Sequence, residues 1–112
     1  MCLRHCILVP AVDIVGGNTM FVQVGTTVRI QCRVSKSIEE LIYIFWWKED
    51  NNVLSYNSAD IKVDTQQINL STTISTLTLK NITTSMSGKY TCQPRNLPTT
   101  SVDLTVINGE SS

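Results

Sequence analysis

The sequence predicts an all-β fold, two antiparallel sheets packed face to face as a sandwich, and three observations carry that reading. Apolar and polar residues alternate with period two from Thr19 onward, and helical periodicity is nowhere sustained. Cys32 and Cys92 lie 60 positions apart, a spacing that suits a bond between two layers. Trp46 falls between them and Tyr90 stands two places before the second cysteine, so a large aromatic and a corner tyrosine are available to pack against such a staple.

The elements follow in order. Met1 to Val12 holds one early Arg4 and an apolar run, Ile7-Leu8-Val9, that Pro10 interrupts. That run is shorter than the roughly 7–15 apolar residues of a secretory signal. The segment is therefore not read as a signal peptide, and a natural start upstream of Met1 stays open. Thr19 to Val24 alternates, and Gly25-Thr26 turns the chain. Val28, Ile30, Cys32 and Val34 point one way and Arg29, Gln31 and Arg33 the other, a strand with one dry and one wet face. Ser35 to Glu40 is polar and reads as a loop.

Leu41 to Lys48 is a dense β-favouring run. If Trp46 faces the staple, Ile42 and Ile44 share its face, and Tyr43, Phe45 and Trp47 take the other. Neighbouring side chains and loops are expected to cover that aromatic row; an exposed patch is the alternative. Asp50-Asn51-Asn52 has turn chemistry, and Val53 to Tyr56 reads as a short strand. Ile61 and Val63 suggest an edge strand within the polar stretch Asn57 to Asn69. Thr73 to Lys80 alternates with Leu77 and Leu79 inward. Asn81 to Ser87 is a corner plugged by Ile82, and Gly88 to Gln93 is a strand carrying Tyr90 and Cys92 on one face. Arg95 to Pro98 turns, and Ser101 to Ile107 closes the sheet through Val102, Leu104 and Val106.

Composition removes several classes of function. Nine Lys and Arg balance nine Asp and Glu, with neither sign concentrated, so the basic stripe of a nucleic-acid binder is absent. No apolar run approaches the roughly 20 residues that span a bilayer. His5 is the sole histidine, in the irregular amino-terminal segment, so no positioned imidazole is expected for nucleophilic catalysis. Cys2, His5 and Cys6 supply too few ligands for a closed zinc site. The acid pairs Glu39-Glu40 and Glu49-Asp50 read as solvated surface, because adjacent strand residues point to opposite faces. Gly16-Gly17 is a lone doublet and not a phosphate loop. The expectation is a non-enzyme with no metal and no cofactor. Asn69-Leu70-Ser71 and Asn81-Ile82-Thr83 match the N-glycosylation acceptor pattern, which makes Asn69 and Asn81 candidates in an oxidising, secretory compartment.

Leu77-Thr78-Leu79-Lys80-Asn81-Ile82 followed by Ser87-Gly88-Lys89-Tyr90-Thr91-Cys92 resembles the matching segment of I-set and C2-type immunoglobulin domains. More narrowly, four stretches resemble the second immunoglobulin domain of the insect Dpr proteins, the defective proboscis extension response family. They are Tyr43-Ile44-Phe45-Trp46-Trp47, Val53-Leu54-Ser55-Tyr56, Gly88 to Pro94, and Val106-Ile107-Asn108-Gly109-Glu110. The likeness runs from about Ile7 to Glu110. It implies an immunoglobulin-like Greek-key sandwich over 7–108, with short tails over 1–6 and 109–112. It further implies a neuronal cell-surface protein that recognises other immunoglobulin-domain surface proteins, the Dpr-interacting proteins, and so labels synaptic partners. In that family the first domain makes the principal contact, so partner binding is expected through a domain that this chain does not carry.

The expected function is thus an extracellular adhesion and recognition module, the alternative being a secreted immunoglobulin-domain protein of defence or signalling. One departure matters. Such domains usually place an aspartate two residues before the glycine of the Gly-x-Tyr-x-Cys run, and here Met86 stands there. The ion pair of that aspartate is lost and an apolar contact is expected instead. A surface pair contributes only about 0–1 kcal/mol, so the fold survives the change.

Overall fold

The computed structural model describes residues 10–35, 43–53 and 58–108. Among them the strands in chain order are β1 (Ala11–Ile14), β2 (Thr19–Gln23), β3 (Val28–Ser35), β4 (Ile44–Lys48), β5 (Asn51–Asn52), β6 (Ile61–Asn69), β7 (Thr72–Leu79), β8 (Gly88–Pro94) and β9 (Thr100–Ile107). They form a four-stranded sheet ordered β1-β3-β7-β6 and a five-stranded sheet ordered β2-β9-β8-β4-β5. Consecutive strands repeatedly change sheet, which makes the molecule a Greek-key sandwich.

β3 shows why the layers stack. Val28, Ile30, Cys32 and Val34 are all buried while Arg29 and Arg33 are exposed, so the sequence alternation becomes one dry face and one wet face. β7 lies beside it antiparallel, with Ile30 opposite Leu77 and Val28 opposite Leu79. From the other sheet, β4 contributes Trp46, β8 contributes Tyr90 and Cys92, and β9 contributes Val102, Leu104 and Val106 to the same core. Cys32 and Cys92 are bonded across the two layers, with Cα atoms 6.3 Å apart.

Two features depart from the sequence expectations. β1 falls in a stretch where the sequence pattern predicts no strand. It pairs antiparallel with β3, with Ile14 opposite Cys32, and Asp13 holds Arg33 through a two-pronged contact of 3.2 and 2.7 Å. That hydrogen bond, reinforced by the carboxylate's charge, raises the already high pKa of the Arg33 guanidinium. After Ile14 the chain leaves the four-stranded sheet through Gly16 and Gly17, at φ of 93° and 104°. These left-handed values favour glycine, so the doublet is a conformational joint. It delivers β2 to the opposite sheet, where β2 runs parallel to β9 and Met20 pairs with Leu104. The second sheet is therefore mixed, not wholly antiparallel.

The second departure is the hairpin after β4. The sequence placed its turn at Asp50-Asn51-Asn52. The turn instead occupies Glu49 and Asp50, Lys48 pairs with Asn51, and β5 begins there. Glu49 takes a φ of 52°, and its carboxylate accepts the Lys89 amide N–H at 3.0 Å. Glu49 is thus a pinned turn residue and not merely solvated surface. Val53 is buried in the core, while Leu54, Ser55 and Tyr56 lie outside the described residues, as do Glu39, Glu40, Ile42 and the loop read over Ser35 to Glu40 beyond Ser35 itself.

Candidate functional site

The side chains singled out as core come together. Trp46 is 2% exposed, and its indole N–H donates to the Ser75 hydroxyl at 2.9 Å. Ser75 is itself fully buried and accepts a second bond from Thr65 at 2.9 Å. The pairing satisfies the one polar atom that a core tryptophan carries. Among the described residues no buried side-chain nitrogen or oxygen lacks a partner. Ser75 was not legible as a partner, because a serine on an alternating strand gives no signal of which face is dry until the tryptophan opposite it is known.

Tyr90 is also buried, and its hydroxyl donates to the Met86 carbonyl at 2.6 Å. A 3-10 turn over Thr84–Met86 presents that carbonyl. Met86 packs against the core with its side chain, so at this position an apolar contact stands where an acid would have sought a cation. A cavity of about 290 Å³ lies beside it, lined by Lys48, Val53 and Tyr90 among others. The Lys48 ammonium reaches instead to the Ser85 carbonyl at 3.1 Å. Both acceptor asparagines are exposed: Asn69 ends β6, and Asn81 sits in the corner at a φ of 51°.

The outer face of the five-stranded sheet carries an aromatic row. Because Trp46 points inward, period two sends Phe45 and Trp47 outward, and Tyr43 continues the row. Coverage of that row was expected, yet Tyr43 is 55% and Phe45 43% exposed. For Phe45 the cross-strand partner explains it. Phe45 faces Gln93 on β8, and that side chain is committed to the neighbouring Trp47 and does not roof the Phe45 ring. Trp47 alone is partly covered, held by a 2.8 Å bond from its indole N–H to the Gln93 side-chain oxygen.

The turn after β8 completes the surface. The Arg95 amide donates to the Tyr43 carbonyl at 2.8 Å, and the Leu97 amide to the Pro94 carbonyl at 3.2 Å. Asn96 takes the left-handed conformation that the reversal needs. A groove of about 510 Å³ results, lined by Phe45, Trp47, Pro94, Arg95, Leu97 and Pro98. Aromatic and aliphatic walls beside one guanidinium suit a contact surface: Trp, Tyr and Arg are the residue types that dominate binding energy at protein interfaces. No group of three or more His, Cys, Asp or Glu gathers among the described residues. Cys2, His5 and Cys6 lie outside them. No helix among them is long and apolar enough to cross a membrane.

Residues 10–96 match the family model described as immunoglobulin domain. No curated protein matches the chain. Among solved structures, the chain is similar to that of Dpr2 Ig1-Ig2 in complex with DIP-Theta Ig1-Ig3, with a TM-score of 0.76 and 21% identity, over 89% of this chain and 50% of that one. This chain therefore spans about half the length of that relative. It is also similar to Dpr1 IG1 bound to DIP-eta IG1, with a TM-score of 0.67 and 19% identity, over 91% of this chain and 100% of that one. The BTLA ectodomain gives a TM-score of 0.69 at 18% identity, over 88% and 98% of the two chains. At such identities the likeness establishes the fold alone.

Proposed function

The chain belongs to the immunoglobulin-domain family, and from that premise we propose that it is a non-enzymatic extracellular recognition module of a neuronal cell-surface protein. Its partner is a second immunoglobulin-domain protein. The observation that carries this reading is the unroofed aromatic row Tyr43-Phe45 beside the Arg95–Pro98 turn. Large apolar rings left in water side by side on one sheet face are interface anchors in waiting. The cross-sheet disulfide supports an oxidising, extracellular setting.

Two Dpr structures among the relatives were obtained with DIP immunoglobulin domains bound, which supports the same class of partner here. The sequence resemblance points to the second domain of a Dpr protein, a family in which the first domain makes the principal contact. The chain also covers all of the single Dpr1 IG1 domain. The exposed row gives this domain a contact surface of its own, and we assign partner contact to that surface.

The test is a binding screen of the domain, multimerised to raise avidity, against a panel of immunoglobulin-domain ectodomains. A specific partner is expected. Tyr43→Asp with Phe45→Asp should weaken it at least about 30-fold, the equivalent of one hot spot of about 2 kcal/mol. The thermal midpoint should stay near wild type because neither ring is in the core. A partner that binds the double variant with undiminished affinity overturns the assignment of the surface, and a blank panel overturns the function.

A further inference from the structure

We propose that Asn69 carries an N-linked glycan that roofs the apolar tip of the β6–β7 hairpin; the proposal rests on the extracellular reading above. β6 is the free edge of the four-stranded sheet. Its pairing with β7 slips at the end: Gln67 opposes Thr73 and Asn69 opposes Thr72, which bulges Ile68 out of register. Leu70 and Ser71 then form the turn. Ile68 is left 54% exposed and Leu70 92% exposed, one on either side of Asn69. An apolar pair at the end of a free edge strand is an association hazard that proteins ordinarily cover or charge. No charged side chain lies between Gln66 and Lys80. A bulky hydrophilic sugar on the residue between Ile68 and Leu70 would supply the missing cover.

The asparagine is presented for it. Asn69 Oδ1 accepts the Ser71 amide N–H at 2.9 Å and the Ser71 hydroxyl at 3.3 Å. Asparagine and the acceptor hydroxyl are therefore already in contact, and the Asn69 Nδ2 is unpaired among the described residues. The transfer forms a bond from Nδ2 to the anomeric carbon of a lipid-diphosphate-linked oligosaccharide. The bond from that carbon to the diphosphate oxygen breaks, the lipid diphosphate leaves, and a base of the transferase takes the Nδ2 proton. The other acceptor is exposed but engaged in hydrogen bonds. Asn81 Nδ2 donates to Asp60 Oδ1 at 3.3 Å, the next residue Ile82 is fully buried, and Thr83 is hydrogen-bonded to Ser85 at 2.8 Å.

The experiment is secretion of the chain from a eukaryotic host behind a cleavable signal, followed by glycopeptide mapping. Occupancy at Asn69 is expected to exceed that at Asn81 several-fold. Asn69→Gln and Ser71→Ala should each abolish it, the second without touching the asparagine. Enzymatic removal of the sugar from the folded domain should raise binding of a hydrophobic-surface dye several-fold, and Leu70→Ser should return it to the glycosylated level. Secreted, folded protein with Asn69 bare, or with Asn81 occupied in its place, overturns the proposal. So does a glycan at Asn69 whose removal leaves dye binding unchanged. The partner screen run on Asn69→Gln keeps the two readings apart, since the aromatic row on the opposite sheet is untouched by that change.

Discussion

Trp46 is the side chain through which the two layers are tied by both packing and a hydrogen bond. It projects from β4 in one sheet and its indole reaches Ser75 on β7 in the other. Trp46→Ala removes the largest fully buried side chain and leaves the buried Ser75 hydroxyl facing a void. The expected cost is about 3–5 kcal/mol in urea unfolding, the range for large core aromatics. Trp46→Phe keeps most of the volume and should lose about 1 kcal/mol beyond its packing loss, through the missing donor. A cost for the alanine variant below about 1 kcal/mol would place the energetic centre of the core elsewhere. The same scale explains what could be read in advance. The inward set of Cys32, Trp46, Tyr90 and Cys92 is legible because each must lie at a fixed phase of its own strand. The exposure of Phe45 is not, because it depends on Gln93 across the ladder turning its side chain to Trp47, and no local pattern in β4 encodes its neighbour.

Elements that were long and two-faced declared themselves. β3 alternates over eight residues and β7 does the same, so their wet and dry faces could be read from sequence. β1 has four residues and a single buried side chain, Ile14, too little to register as a period. The parallel pairing of β2 with β9 was invisible for another reason: it is set by the glycine joint that moves β2 between sheets, and nothing in either strand specifies a parallel neighbour. The β4–β5 turn was misplaced because Asn51 and Asn52 are as turn-prone as Glu49 and Asp50, and the deciding contact comes from β8. Gly88 is the counterpart of that contact. It opens β8 at a φ of 147°, and a Cβ there would lie 3.0 Å from the Glu49 carboxylate oxygen. The carboxylate can shift, so the dominant penalty is backbone conformation. Gly88→Ala should destabilise by about 1–3 kcal/mol. Adding Glu49→Ala should recover only a small part of that loss in thermal or urea unfolding. Recovery in full would mean that the clash, and not φ, sets the requirement for glycine.

At the scale of the whole molecule the disulfide decides how much stability the sandwich holds in reserve. A domain of 112 residues buries roughly 65% of its extended-chain surface, enough for a core of one tryptophan, one tyrosine and aliphatic strands but with little margin. The bond from Cys32 to Cys92 closes a span of 60 residues, which corresponds to about 4 kcal/mol on the loop-closure estimate. Net stability of such domains is about 5–15 kcal/mol, so the covalent tie is a large share of the whole. Cys32→Ala with Cys92→Ala keeps both positions apolar and removes the tie together with the packing of two buried sulfur atoms. The urea midpoint of that variant should fall by the equivalent of about 3–5 kcal/mol, and the slope should rise as the unfolded chain expands. The compartment then follows from stability: a reducing environment would leave a marginal fold, an oxidising one a secure fold. If the double variant unfolds within about 1 kcal/mol of the native protein, apolar packing alone holds the layers together, and the inference from disulfide to an extracellular setting loses its physical ground.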